Sequence, residues 1–179
     1  DPWNYWVFRV RFGGFVQGER HQSFRSFNGG ITANRVTEKM KVNLSTNGNY
    51  NRSSFDVDSL TTVVSTRKSY SQQLLLVRSL GGQWSVGFRQ RVSKSTFNNQ
   101  DLVFEAGPAL EYDLYPYKES SRRQFTFTYM PGVTHFNYQE ITLFGKTRET
   151  LPIHRFVAAL SVKQQWGSVN MSLDANQYL

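Results

Sequence analysis

The sequence predicts an all-β fold: an antiparallel up-and-down transmembrane β-barrel, of about 8–12 strands when complete, of which residues 1–179 form a single barrel domain covering all or part. Three observations predict it. Residues alternate apolar and polar with a period of two, as in strands whose faces meet different solvents. The alternating segments run longer than the five or six residues usual for strands of soluble domains. The tryptophans gather at segment ends that share one side of such a barrel.

Residues 6–16, WVFRVRFGGFV, display the first observation. Trp6, Phe8, Val10, Phe12, Gly14 and Val16 alternate with Val7, Arg9, Arg11, Gly13 and Phe15. Arginines two apart are odd lining for the core of a soluble protein, and so many rings are odd on its surface. Lipid against the rings, with the arginines pointing into a barrel, removes both oddities.

Composition bounds the alternatives. Apolar residues make up 39% of the chain, yet aromatics reach 15%. The longest apolar run is FVAAL at 156–160, and a membrane helix needs about 18 or more such residues. A mean hydropathy of −0.51 leaves transmembrane strands open, because each crosses with about ten alternating residues. There is no cysteine, which fits an oxidising compartment. The net charge of +8 is dispersed along the chain, which argues against a nucleic-acid arm.

Nine strands are predicted, roughly at 3–18, 21–36, 39–52, 65–80, 83–96, 101–115, 123–138, 152–166 and 168–178. In the third, Met40, Val42 and Leu44 alternate with Lys41, Asn43 and Ser45. In the fifth, Trp84, Val86, Phe88 and Val92 alternate with Ser85, Gly87, Arg89 and Arg91. In the sixth, Leu102, Phe104, Ala106, Leu110 and Tyr112 alternate with Glu105, Gly107, Glu111 and Asp113. In the seventh, Phe125, Phe127 and Tyr129 alternate with Gln124, Thr126 and Thr128. Two strands resist the pattern. LLLV at 74–77 puts apolar residues on both faces. Pro108 and Pro131 fall mid-strand, where proline removes a ladder hydrogen bond; a bulge at Pro131–Gly132 would return Phe136 and Tyr138 to the face of Phe125.

The connections alternate in length. Short turns are expected at Thr37–Glu38, Gly81–Gly82 and Trp166–Gly167, with a middling one at Pro116 to Arg122. Longer loops are expected at Gly18 to Gln22, Ser53 to Val64, Phe97 to Gln100 and Gln139 to Pro152. Short periplasmic turns and longer extracellular loops are the habit of outer-membrane barrels. Trp3, Trp6, Trp84, Tyr112, Tyr115 and Trp166 then form a periplasmic aromatic girdle, with Tyr117 beside it. Tyr50, Tyr70, Phe97, Phe136 and Tyr138 form the opposite one. Nine is odd, whereas single-chain bacterial barrels have even strand numbers. The expectation is a longer barrel, or a strand hidden in 53–64 or 139–152.

The stretches AGPALEYDLYPY (106–117), LFGKTRETLP (143–152) and KQQWGSVNMSLDANQYL (163–179) resemble a family of uncharacterised bacterial outer-membrane β-barrels akin to the salt-induced outer-membrane proteins. The resemblance implies location in the outer membrane and a barrel of about twelve strands, within the usual even-numbered range. It implies no activity, cofactor or catalytic residue.

Parity places Arg9, Arg11, Lys41, Arg89, Arg91 and Lys163 inside the barrel, together with Glu105, Glu111 and Asp113. These charges form either a selective pore wall or a plug of paired ions in a narrow lumen. Arg52, Arg67, Lys68, Lys146 and Arg148, with Arg20, Arg25 and Lys94, lie near the longer loops and suit the phosphates of lipopolysaccharide. His21, His135 and His154 show no metal-ligand spacing, and no nucleophile elbow or phosphate loop is present, so neither metal nor cofactor is expected. The expected role is structural or porin-like passive transport rather than catalysis, with outer-membrane lipid as partner. A soluble β-barrel holding a small apolar ligand, and an outer-membrane lipid-modifying enzyme using His135 or His154, are the alternatives.

Overall fold

A computed structural model describes residues 4–37, 39–58, 61–115 and 122–179. The predicted girdle positions Trp3 and Tyr117 lie outside these residues, as does Glu38. Nine strands follow one another: β1 (Trp6–Gly18), β2 (Gln22–Val36), β3 (Met40–Asp56), β4 (Thr62–Gly81), β5 (Trp84–Ser95), β6 (Gln100–Asp113), β7 (Arg123–Tyr138), β8 (Arg148–Gln164) and β9 (Gly167–Tyr178). All pair antiparallel with their chain neighbours in one sheet of order β1 to β9. The described residues contain no helix, and β1 and β9 are free edges, so the sheet is open.

The predicted strands are all present, with one systematic difference at their ends. β3 and β4 stay paired out to Asp56 and Thr62, and β8 begins at Arg148. The stretches 53–64 and 139–152 therefore lengthen known strands instead of supplying a tenth. At one end the connections are 19–21, 57–61, 96–99 and 139–147, three of them shorter than expected, and at the other they are 37–39, 82–83, 114–122 and 165–166. The expected contrast in loop length survives only weakly, since 114–122 matches 139–147. At the tightest hairpin, Gly81 and Gly82 both take positive φ (100° and 61°), a backbone that side chains with a Cβ resist.

Cross-strand partners share a face, so the register sorts every strand residue to one side. The sheet curls toward its polar side. Residues from β3 to β9, among them Lys41, Gln73, Arg89, Thr128 and Asp174, line one trough of about 280 Å³. Phe136 of β7 also reaches Tyr178 of β9, across β8, with ring centroids 5.8 Å apart. We call this the inner face. Among the described residues, Ala33 is the only buried one on the outer face; Val77, Val103, Ala109, Thr134, Phe136, Ile153 and Arg155 lie inside.

The outer face is inverted relative to a soluble protein. Phe8 (57% exposed), Phe88 (43%) and Phe104 (42%) stand out from it. Its charged residues all lie near strand ends and are mostly basic, the acids being Asp56 at the end of β3 and Asp101, which pairs with Lys94. Arg35, Arg78 and Arg123 sit toward one end, and Arg25, Arg52, Lys68, Lys94 and Arg148 toward the other. Between them the outward side chains include no Asp, Glu, Lys or Arg among the described residues.

The two prolines act together. Pro108 and Pro131 occupy the same level of β6 and β7, and the regular pairing lapses between Ala106–Val133 and Leu110–Tyr129. Neither proline has an N–H to give. The register is nonetheless unchanged on both sides, and β7 pairs with β8 without interruption from Arg123 to Asn137. The expected bulge at Pro131 is absent. Phe136 and Tyr138 consequently face inward, and they leave the outer girdle in which the sequence placed them.

Candidate functional site

The inner face is where charge collects. Arg9 and Arg11 on β1, Lys41 on β3, Arg89 and Arg91 on β5, Glu105, Glu111 and Asp113 on β6 and Lys163 on β8 all share it through the register. They do not form one cluster. Arg9 and Arg11 are exposed on the free edge β1, and Lys163 is exposed where β8 ends. Glu111 accepts a hydrogen bond from the Thr128 hydroxyl (3.1 Å). Asp113 accepts from the backbone N–H groups of Tyr115 (3.1 Å) and Phe125 (3.3 Å), which ties down the ends of β6 and β7.

The centre of the face holds a compact ionic group. Glu105 Oε1 lies 3.4 Å from Arg89 Nη1 and 3.3 Å from Arg155 Nη1, and Arg155 Nε lies 3.5 Å from Asp174 Oδ1. The side chains of Arg89 and Glu105 are only 16% and 12% exposed. Arg91 is the direct cross-strand partner of Glu105. Arg155 Nε and Nη1 and Arg91 Nε have no protein hydrogen-bond partner, so these are ion pairs of loose geometry. Three guanidinium groups against two carboxylates leave the group net positive.

A glycine floor makes the group possible. Gly107 is the partner of Arg89, and Gly132 is the partner of Ile153. A Cβ on Gly107 would lie 2.1 Å from the Pro131 carbonyl oxygen, and one on Gly132 would lie 2.7 Å from that of Ala106. The backbones of β6 and β7 touch here, and the long side chains of β5 and β8 meet above them. Apolar side chains flank the group. Leu75 is the partner of Arg89, Val77 packs against Gly87, and Met130 is the partner of Arg155. The ambiguous LLLV segment thus divides into outward Leu74 and Leu76 and inward Leu75 and Val77.

Parity alone missed Arg155 and Asp174. Arg155 has the parity of Lys163 and could have been found from it, but PIHRFVAAL at 152–160 is apolar on both parities and hides the alternation.

The remaining predicted residues fall elsewhere. Trp6, Trp84 and Tyr112 are outward at one end, with Trp84 and Tyr112 rings 4.9 Å apart. Tyr115 carries the Arg123 guanidinium 4.5 Å above its ring, and Trp166 is exposed in the β8–β9 turn at that same end. Arg52 and Lys68 are outward on β3 and β4. Arg67 is inward, with its guanidinium 4.7 Å from the Phe97 ring centroid. Lys146 pairs with Glu149 at 2.5 Å. Arg148, on β8, stands four strands from Lys68. His135 bonds Thr150 Oγ1 (2.7 Å), and His154 bonds the Tyr129 hydroxyl. Among the described residues no group of three His, Cys, Asp or Glu side chains is placed to hold a metal.

No family model, curated protein or solved structure matches the chain.

Proposed function

We propose that this chain forms the wall of a bacterial outer-membrane β-barrel whose inner face borders a passage for small solutes. One observation carries the reading: a continuous outward band of exposed aromatic and aliphatic side chains, free of charge between two basic margins, backed by a face on which the charges pair. Water on the outer face would leave that band an aggregation liability; hydrocarbon makes it favourable. Arginine and lysine near the margins can extend to the headgroups while their stems stay in the apolar layer. The resemblance of 106–117, 143–152 and 163–179 to outer-membrane barrels supports the same location.

The net positive group at Arg89, Arg91 and Arg155 favours anions among passing solutes. Reconstitution into a planar bilayer tests the passage. Stepwise conductance with a reversal potential displaced toward the anion is expected, and a flat trace at baseline would remove it. A second role is favoured by the packing around Glu105, where Leu75, Val77 and Met130 crowd the ionic group: a filled, purely structural barrel. That reading expects membrane insertion without conductance. Solubility of the chain without detergent would overturn both and favour a soluble barrel with an apolar ligand.

A further inference from the structure

A second site lies on the outer face, at the end of connections 19–21 and 57–61. Arg25 of β2 and Arg52 of β3 are direct cross-strand partners, so two like charges stand opposite each other on the same side. Such a pair is destabilising by itself. Val16, Ser23, Ser54, Thr66 and Lys68 surround it on that face, and the outward carboxylate of Asp56, four residues further along β3, accepts from the Thr62 hydroxyl (2.7 Å). The Lys68 ammonium lies 5.8 Å from the Tyr50 ring centroid, and Tyr50 leans on Phe27 with centroids 6.4 Å apart. Lys94, one strand further on, is neutralised by Asp101. Arg25, Arg52 and Lys68 have no acidic partner among the described residues.

The apolar surface beside the cluster is shaped. Gly29 and Gly48 face each other across β2 and β3, between Phe12 and Tyr70. A Cβ on Gly29 would meet nothing nearer than 3.7 Å, and one on Gly48 nothing nearer than 4.0 Å. The pair therefore leaves a shallow trough between Phe12 and Tyr70, set off from the cationic group by the Phe27 and Tyr50 rings. Height agrees as well. Val16, the partner of Arg25, is ten residues beyond Trp6 on β1. At about 3.3 Å per residue and a tilt of about 40°, that is roughly 25 Å, the height of the apolar band of outer-membrane barrels.

We infer that Arg25, Arg52 and Lys68 bind the phosphate of a membrane lipid, with an acyl chain lying in the trough over Gly29 and Gly48. The inference rests on the outer-membrane reading, in which the phosphorylated lipid of the far leaflet is lipopolysaccharide. A phosphate between two guanidinium forks accepts charge-assisted bonds from both and turns their repulsion into attraction.

The test uses the full chain in detergent micelles and measures lipopolysaccharide retained per protein after size exclusion. Arg25→Ala with Arg52→Ala is expected to weaken retention about tenfold or more, the scale of one lost bond between charged groups. Arg67→Ala, on the other face, leaves it unchanged. Gly48→Phe fills the trough and weakens lipid retention while the arginines stay in place. Undiminished retention in the double variant overturns the site, as does equal retention of lipopolysaccharide stripped of its phosphates. Inorganic phosphate held with the same arginine dependence and the same strength overturns the lipid assignment in favour of a free-anion site. Flotation with phospholipid vesicles reports separately. Every variant that floats while retention ignores the arginines refutes this site alone, whereas wild-type chain that stays at the bottom refutes the membrane reading with it.

Discussion

Along the middle of β2 and β3 the inward side chains are small and polar: Asn34 bonds Asn43, Ser26 bonds Asn51 (2.7 Å), and Asn49 bonds Ser69 of β4 (3.3 Å). Along β5 to β8 they are long or bulky: Arg89, Glu105, Phe136, Ile153 and Arg155. Every buried residue among the described ones except Ala33 lies in β4 to β8. The outer surface shows no such division, since exposed apolar side chains run from Phe8 to Leu173. The environment outside therefore dictates one rule for all strands, while the inside is divided into a smooth hydrophilic wall and a crowded charged one. Short amide and hydroxyl side chains satisfy one another within their own ladder and leave width above them. The arginines of β5 and β8 need partners from other strands, so they fill the space and hold the strands at fixed spacing.

Variants that treat the two walls differently test that division. Glu105→Ala strips two buried guanidinium groups of their shared carboxylate and should cost about 3–5 kcal/mol, whereas Asn47→Ala on the smooth wall should stay within about 0.5 kcal/mol. Urea unfolding from vesicles measures both, and equal losses would erase the contrast. Phe104→Arg should cost about 2–4 kcal/mol by placing a charge in the apolar band. Val10→Arg on β1 should cost the same, because the outer rule spans both walls; a clear inequality in the same unfolding assay would break it. Gly107→Ala drives a Cβ into the Pro131 carbonyl and should cost about 2–3 kcal/mol. Gly29→Ala meets only ordinary contacts and should cost less than about 0.5 kcal/mol. The smallest effect is electrical. Arg91→Gln should move the reversal potential toward the cation without changing the unfolding midpoint by much, and an unmoved potential would take the charged wall out of the solute path.

The strand count was legible because the two faces of the sheet differ in polarity, which imposes a period of two over most of 12 to 20 residues. The ends were less so. Ser53, Ser54, Asp56 and Thr62 look like loop in a one-residue view, yet β3 and β4 pair through them, since backbone pairing needs no apolar alternation. Parity failed where the inner wall is itself apolar. Phe136 and Ile153 pack inside, so an apolar residue there did not mean an outward one, and the same ambiguity hid Arg155. Proline was read as a disturbance of one strand, but Pro108 and Pro131 share a level and cancel in register. No one-dimensional pattern carries that pairing. The charged positions named from parity do share a face, and only the register reveals that Glu105 collects Arg89 and Arg155 while Arg9 and Lys163 stand apart.

Strand direction has a consequence for how such a wall can become a cylinder. Eight reversals leave β1 and β9 pointing the same way. Bent round to meet, they would form a parallel seam in an otherwise antiparallel ring. In the proposed membrane setting, a second copy held upright would bring only the same two polarities and reproduce that mismatch. Hydrocarbon there would tolerate no bare row of amide and carbonyl groups, so an antiparallel ring built on this wall would close only through an odd number of added strands, and its total would be even.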